Sequence, residues 1–200
     1  MKPYAIAFAV AALLVPADAA SQAAEPRRLT LEEAEAYQMG MQLVFACSPY
    51  RHRRAEGSQS TIRRSRDALA GTAVHFSSVE GTYLVLEQYD QELNGHCLVV
   101  GYFGGALEPG RHDLSLLEMS AVEEEIDSGD YSFYAMSLVR TAAEDAVLVV
   151  ESGSLDIVSM EDGEVTGTFE VSGFLADSDG VNRLGAVTWA GSFVAVPGAS

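Results

Sequence analysis

Short apolar or alternating runs, separated by turn residues, divide the chain from Gly71 to its C-terminus. In residues 164–171 small or apolar side chains alternate with charged or hydroxyl side chains, which is typical of a strand with one buried and one solvated face. The same pattern predicts strands over residues 73–79, 82–89, 96–103, 131–140, 146–151, 154–160, 164–171, 184–190 and 192–196. With about nine strands, we expect an all-β fold, an antiparallel sandwich or barrel.

Glycine and turn residues mark the ends of these runs. Asn94-Gly95 and Asp162-Gly163 are dipeptides that favour two-residue hairpin turns. A glycine followed by a hydroxyl residue, or close to one, also recurs before several apolar runs, and we interpret it as a bend at the entry to a strand. These glycines are Gly71, Gly81, Gly153, Gly167 and Gly191.

A helix is predicted ahead of the strands. Thr30 and Glu33 have the spacing of a capping box, in which each side chain accepts a hydrogen bond from the other residue's backbone N–H. Apolar residues at helical spacing then extend the prediction over residues 31–46, with Gly40 as a weak point. Residues 48–60 are polar and are expected to form a loop, and residues 61–70 are predicted to form a short second helix.

Residues 1–19 have the pattern of a secretory signal peptide. Lys2 precedes an apolar run of eleven residues, 5–15, which is followed by Pro16 and a group of small residues. This run is much shorter than the roughly 20 residues that span a bilayer. We therefore expect cleavage after Ala19, no transmembrane anchor in the mature chain, and a secreted or periplasmic bacterial protein.

The chain is acidic, with a formal net charge of −17, and its single lysine is Lys2. Such a charge repels nucleic acid and anionic lipid. Arginines concentrate in residues 20–70 and acidic residues in 71–200, so we divide the mature chain into a helical, Arg-rich segment (20–70) and an acidic β-domain (71–200).

Six arginines around the predicted loop are a candidate site for an acidic protein or an anionic envelope component, because guanidinium groups bind carboxylate and phosphate in a bidentate manner. The alternative is a solvated loop against the acidic domain. The six are Arg51, Arg53, Arg54, Arg63, Arg64 and Arg66.

Two cysteines, Cys47 and Cys97, are the whole thiol content of the chain. In an exported protein such a pair is expected to form a disulfide, here closing a loop of about fifty residues. A metal site involving His52 and His96 is the alternative, but neither spacing matches a known zinc pattern.

The C-terminal half resembles exported bacterial β-domain proteins of unknown function. The resemblance is carried by the turn at Pro109-Gly110 and by strand motifs that begin at Gly153-Ser154, Gly167-Thr168-Phe169 and Gly191-Ser192-Phe193. It implies a β fold and no particular activity.

Motifs that would indicate catalysis are missing from the sequence. There is no Gly-x-Ser-x-Gly, and His52, His75, His96 and His112 form no short motif. We therefore predict no catalytic residue, no metal and no cofactor. Asp177, Asp179 and Asn182 have a weak similarity to a calcium loop, and a hairpin rich in Asp and Gly is the alternative explanation.

Aromatic residues are frequent in the predicted strands, where they form either the core or a ligand pocket. These residues are Tyr83, Tyr89, Tyr102, Phe103, Tyr131, Phe133, Tyr134 and Trp189. The leading functional hypothesis is a non-enzymatic binding or interaction module of the cell envelope. The alternatives are a periplasmic or secreted enzyme with dispersed catalytic residues, and a self-associating surface protein that associates through exposed strand edges.

Overall fold

Ten strands form one large sheet in the computed structural model of the protein, and two short helices accompany them. The structure describes residues 26–47, 57–63, 68–77, 81–89, 95–104, 107–129, 131–140 and 145–198. The predicted signal peptide, Asn94, His52 and five of the six candidate arginines (Arg51, Arg53, Arg54, Arg64 and Arg66) lie outside these residues.

The elements follow one another in this order along the chain: β1 (Arg27–Arg28), α1 (Leu31–Gly40), a 3₁₀ helix (Leu43–Ala46), β2 (Gln59–Arg63), β3 (Ala68–Ser77), β4 (Thr82–Tyr89), β5 (Gly95–Tyr102), β6 (Gly110–Ser115), α2 (Met119–Ser128), β7 (Phe133–Arg140), β8 (Asp145–Glu161), β9 (Glu164–Asp177) and β10 (Asn182–Pro197). No helix in the described ranges is long and apolar enough to cross a membrane.

The sheet closes on itself. Its strand order is β1-β10-β2-β3-β4-β5-β7-β6-β8-β9, and β9 pairs in turn with β10, from Ala176 opposite Arg183 to Val165 opposite Ala195. Two short parallel pairings, β3 with β10 and β6 with β7, make the otherwise antiparallel sheet mixed. Opposite walls of this ring face each other across one interior, the arrangement that the predicted sandwich or barrel required.

The ring has an apolar interior and one covered outer face. Leu86, Leu98 and Phe169 belong to the interior cluster. Val85 and Val99 belong to a second cluster outside the ring, where α1 and the 3₁₀ helix pack on the sheet. Because β4, β5 and β7 are buried on both faces, their sequences are continuous apolar runs with little alternation.

Two predicted strand breaks are wrong. Residues 145–161 form one strand through Gly153, and residues 182–197 form one strand through Gly191. A Cβ at Gly153 would collide with the carbonyl oxygen of Glu170, and a Cβ at Gly191 with that of Thr61. Here glycine lets the backbone of the neighbouring strand approach where a side chain would not fit, and the strand continues through it.

The helix predictions are partly correct. The helix predicted over residues 31–46 begins at Leu31 but ends at Gly40, where a Cβ would collide with the side chain of Met136, and a 3₁₀ helix follows. The helix predicted over 61–70 is wrong. Residues 59–63 instead form β2, which lies between β10 and β3 and pairs with both. Ser60 and Ile62 of this strand are buried on its inner face. As a strand the segment forms hydrogen bonds to two neighbours, which a helix would not. Helix α2 was not predicted.

A buried carboxylate fastens the N-terminal segment to the sheet. The predicted capping box is present: the Thr30 N–H donates to Glu33 Oε2 over 2.8 Å, and the Glu33 N–H donates to Thr30 Oγ1. Arg27 donates two hydrogen bonds to the same carboxylate, and Arg183 of β10 donates a third, 2.5 Å long. The hydrogen bonds from Arg27 contribute most to lowering the pKa of Glu33 from 4.5 to about 2.

The predicted disulfide provides the second attachment. Cys47, directly after the 3₁₀ helix, is bonded to Cys97 of β5, and their Cα atoms lie 5.8 Å apart. Cys97 is fully buried in the outer cluster. The disulfide therefore holds the covering segment against the strands that it shields.

Substituting Gly191 with alanine is expected to lower the free energy of unfolding by about 1–3 kcal/mol, because the methyl group would overlap the Thr61 carbonyl of the neighbouring strand. The matched control is Gly185→Ala on the same strand, where a Cβ meets nothing within 4 Å, and it should stay within about 0.5 kcal/mol of the parent. Urea unfolding measures both variants. Equal losses in the two would contradict the close approach of the two strands at Gly191.

Glu33→Gln should destabilise the protein in a pH-dependent way. Because folding lowers the pKa of Glu33, its stabilisation is complete above about pH 4.5 and disappears as the pH falls towards 2. Because Arg27 is half exposed and solvent screens its charge, we expect a loss of about 1–2 kcal/mol at pH 7. Urea unfolding from pH 7 to pH 2 should show the variant converging on the parent, whereas the exposed neighbour Glu32→Gln should show little difference at any pH. A pH-independent difference for Glu33→Gln would contradict the assignment.

Candidate functional site

Four side chains form a polar and aromatic group inside one end of the apolar ring. We call Ser60, Gln88, His96 and Trp189 the Gln88 cluster. Ser60, Gln88 and His96 are at most 2% exposed. Gln88 points to the same side of β4 as Leu84 and Leu86, which face the interior, so its amide lies among apolar residues. The cluster joins residues from β2, β4, β5 and β10.

The hydrogen bonds of Ser60 determine how the Gln88 amide is oriented. Ser60 Oγ has one hydrogen, which it donates to backbone carbonyl oxygens, that of Thr72 at 2.8 Å and that of Glu87 at 3.3 Å. It must therefore accept from Gln88, whose Nε2 lies 2.9 Å away. This arrangement points the other end of the amide, Oε1, away from Ser60.

Gln88 Oε1 is buried and accepts no hydrogen bond from the described part of the chain. An unpaired buried acceptor costs about 1–3 kcal/mol, and most such groups in folded proteins have a partner. The site thus presents a carbonyl oxygen that a hydrogen-bond donor would satisfy.

An aromatic pair lies beside this amide. His96 is directly opposite Gln88 in the β4–β5 register. Its ring packs on Trp189 of β10, with ring centroids 4.3 Å apart and an interplanar angle of 59°. Trp189 is the only tryptophan of the chain, so its fluorescence reports on this cluster alone.

A second aromatic group lies at the end of the interior where β5 ends and β7 begins. Tyr102 and Phe133 stack at 4.4 Å and 12°, Tyr131 meets Tyr102 edge-on, and His112 packs on Phe133. Tyr102, Tyr131 and His112 are half-buried. The structure thus brings three of the predicted aromatic residues together, with His112 as a fourth member.

The remaining predicted aromatic residues belong mainly to the covered outer face. Tyr83 and Tyr134 are buried there, and Phe103 packs on Tyr134. Tyr134 Oη donates a short hydrogen bond to Glu125 of α2. Burial, and then the bond to Glu125, raise the pKa of Tyr134, so the phenol remains a donor and anchors α2. Of Tyr89 the structure describes only the backbone, in β4.

His75 and His112 are bonded to backbone carbonyls. His75 Nε2 donates to the carbonyl oxygen of Gly163 over 2.7 Å, and His112 Nε2 donates to that of Glu108 over 2.8 Å. The enzyme hypothesis required a histidine in contact with a carboxylate. Within the described residues neither of these two imidazoles has such a contact. That hypothesis gains no support from these two histidines.

Asp177, the first residue of the weak calcium candidate, closes its own hairpin loop. Its carboxylate accepts hydrogen bonds from the N–H groups of Val181 and Asn182 and from Asn182 Nδ2. Burial opposes the charged form, but these hydrogen bonds outweigh it and lower the pKa of Asp177. Within the described ranges no three His, Cys, Asp or Glu side chains come close enough to bind a metal ion together. The loop geometry matches the alternative explanation, a hairpin rich in Asp and Gly.

Arg63, the one candidate arginine within the described residues, is exposed at the end of β2. Elsewhere on the surface, β8 extends past its pairing with β6 after Ile157. Val158 and Met160 on this extension are 67% and 40% exposed. This is the strand edge relevant to the self-association hypothesis, but Glu161, Asp162 and Glu164 at the same hairpin would repel a second copy.

Ser60 and Gln88 were not among the predicted site residues, although the sequence contains one signal for them. Residues 82–89 were predicted as a strand, and Gln88 has the same phase as Leu84 and Leu86. A glutamine on the buried side of a strand indicates an interior polar group.

Comparisons with protein families, curated proteins and solved structures find no match for this chain, so the resemblance to exported bacterial β-domain proteins remains a prediction.

Substituting Gln88 with methionine, which has a similar shape, is expected to stabilise the protein by about 1 kcal/mol or more when no ligand is present. The change removes the unpaired carbonyl, while Ser60 keeps its hydrogen bond to Thr72. Thermal and urea unfolding measure the gain. The control is Gln59→Met at an exposed position of β2, where no gain is expected. A clear loss of stability in Gln88→Met would show that Oε1 already has a donor in solution.

Proposed function

We propose that this chain is an exported, non-enzymatic binding module of a bacterial cell envelope, and that it binds a small molecule at the Gln88 cluster. The observation that carries the proposal is the buried Gln88 carbonyl oxygen, which has no donor among the described residues. Binding sites often keep a polar group that stability alone would remove, because the ligand supplies its missing partner.

The surroundings of that oxygen suit ligand recognition. Small-molecule sites are mostly apolar, with a few fixed polar groups that orient the ligand. Here the interior cluster supplies apolar walls, and the Ser60–Gln88 hydrogen bond fixes the amide. The ring faces of His96 and Trp189 add an aromatic surface beside it. All four side chains belong to paired strands, which hold a site more precisely than loops do.

Export is part of the proposal. The predicted signal peptide and the Cys47–Cys97 disulfide support it, since disulfides persist in oxidising compartments. The acidic composition suits a soluble protein that avoids nucleic acid and anionic lipid surfaces.

The proposal is tested by screening the protein, purified with its disulfide intact, against a library of small metabolites. A ligand of the Gln88 cluster should both raise the melting temperature and shift the emission of Trp189. Gln88→Met should lose the response, whereas Tyr102→Phe at the aromatic group between β5 and β7 should keep it. Native mass spectrometry of protein purified under mild conditions checks for a bound ligand independently.

Two outcomes would contradict the proposal. If ligands stabilise the protein but leave Trp189 emission unchanged and respond to Tyr102→Phe instead, the binding site lies elsewhere. If a hydrolase panel shows turnover that a single substitution abolishes, the protein is an enzyme.

A further inference from the structure

We propose that residues 158–161 of β8, which we call the hairpin edge, bind a basic, extended segment of a partner protein as an additional strand of the sheet. None of these residues belongs to the Gln88 cluster, so this surface is independent of the proposed small-molecule site. The proposal is based on the backbone pairing of the hairpin edge, its exposed apolar side chains and the charges around it.

The hairpin edge has a neighbouring strand on one side only. Residues 159–161 pair with β9. On the other side the pairing with β6 stops at Gly110, opposite Ile157. The residue before Gly110 is Pro109, which has no N–H with which to continue the ladder. Among the strands that the structure describes, none pairs with this side of residues 158–161.

The alternation of the ladder gives this side a free donor and a free acceptor. Glu161 and Glu164 flank the two-residue turn and lie opposite each other, so their backbone N–H and C=O groups bond across the hairpin. Successive residues of a strand direct these groups to opposite sides. The N–H and C=O of Met160 therefore point away from β9, where a strand added to the edge would pair with them.

Exposed apolar side chains accompany these backbone groups. Val158 and Met160 are two of the five large apolar side chains that are exposed among the described residues, and they lie two positions apart. In strand addition, main-chain hydrogen bonds supply affinity and side-chain contacts supply specificity. The register shift between Ile157 and Ser159 interrupts the regular strand, so the added strand has a short edge to pair with and depends on contacts with Val158 and Met160.

The charges at the tip of the hairpin specify a basic partner. Glu161, Asp162 and Glu164 are exposed, and none of them forms an ion pair with a described residue. Like charges repel a second copy of this chain, whereas lysine or arginine beside an added strand would face opposite charges. The net charge of −17 attracts such a basic segment from a distance.

The hairpin is held in place before any partner binds. His75 Nε2 of β3 donates a hydrogen bond of 2.7 Å to the carbonyl oxygen of Gly163 in the turn. The hydroxyl groups of Ser159 and Thr166 are hydrogen-bonded across the two strands, also at 2.7 Å. An edge that is already ordered loses little conformational entropy when a strand is added to it.

The test compares two synthetic peptides of equal length with the same core of alternating valine and threonine. One peptide has lysines at both ends of the core and the other has glutamates. Isothermal calorimetry measures their binding to the protein, purified with its disulfide intact, at physiological ionic strength. We expect the lysine peptide to bind about tenfold or more tightly than the glutamate peptide, and this preference should shrink at high salt.

Variants of the hairpin edge locate the binding surface. Met160→Pro removes the outward N–H without removing a hydrogen bond to β9, and proline is tolerated at such an edge position. It should abolish binding of the lysine peptide, whereas Met160→Leu should retain it. Val181→Thr changes an exposed apolar residue in another loop and should bind the peptide as the parent does.

Three outcomes would overturn the proposal. The first is that the two peptides bind equally well or that neither binds. The second is that Met160→Pro binds the lysine peptide as tightly as the parent does. The third is a dimer in sedimentation experiments that Met160→Pro dissociates, because the edge would then bind a second copy. Because the comparison of the two peptides uses the parent protein, it remains decisive even if Met160→Pro does not fold.

Discussion

The antiparallel pairing of β9 with β10 is the interaction on which the rest of the structure depends. It runs along most of both strands and closes the sheet into a ring. Closure removes most free strand edges and creates an interior that inward side chains from opposite walls must fill. Glycines such as Gly153 and Gly191 let the backbones of neighbouring strands in this ring approach more closely than a side chain would permit.

Closure also explains why the N-terminal segment is needed. The strands β4, β5 and β7 carry apolar side chains on both faces, so the outer face would be exposed to water without a cover. Helix α1 and the 3₁₀ helix provide that cover, and two attachments hold them in place. One is the Glu33 carboxylate between Arg27 and Arg183, and the other is the disulfide at Cys97. Arg183 links this cover directly to β10, one of the two strands that close the ring.

Among the few polar side chains of this apolar interior, Gln88 is the one whose unpaired carbonyl oxygen suggests a function. A core selected for stability alone would place leucine or methionine at this position, because an unpaired carbonyl is costly. Instead the amide is held by Ser60 beside the rings of His96 and Trp189. The aromatic group of Tyr102 and Phe133, by contrast, is explained by packing between neighbouring strands.

Local features of the fold were determined by the sequence alone, because each depends on residues close together in the chain. The β class, the capping box of Thr30 and Glu33, and the turn at Asp162-Gly163, where both residues have positive φ, are of this kind. The Cys47–Cys97 pairing followed from there being only two cysteines.

The Gln88 cluster, in contrast, was decided by the tertiary structure. Its members are at positions 60, 88, 96 and 189, and only the register of β4 with β5 and the closure through β10 bring them together. Period-two alternation shows which face of a strand is buried, but which residues meet across the interior depends on strand order and register, and these arise from packing of the whole sheet.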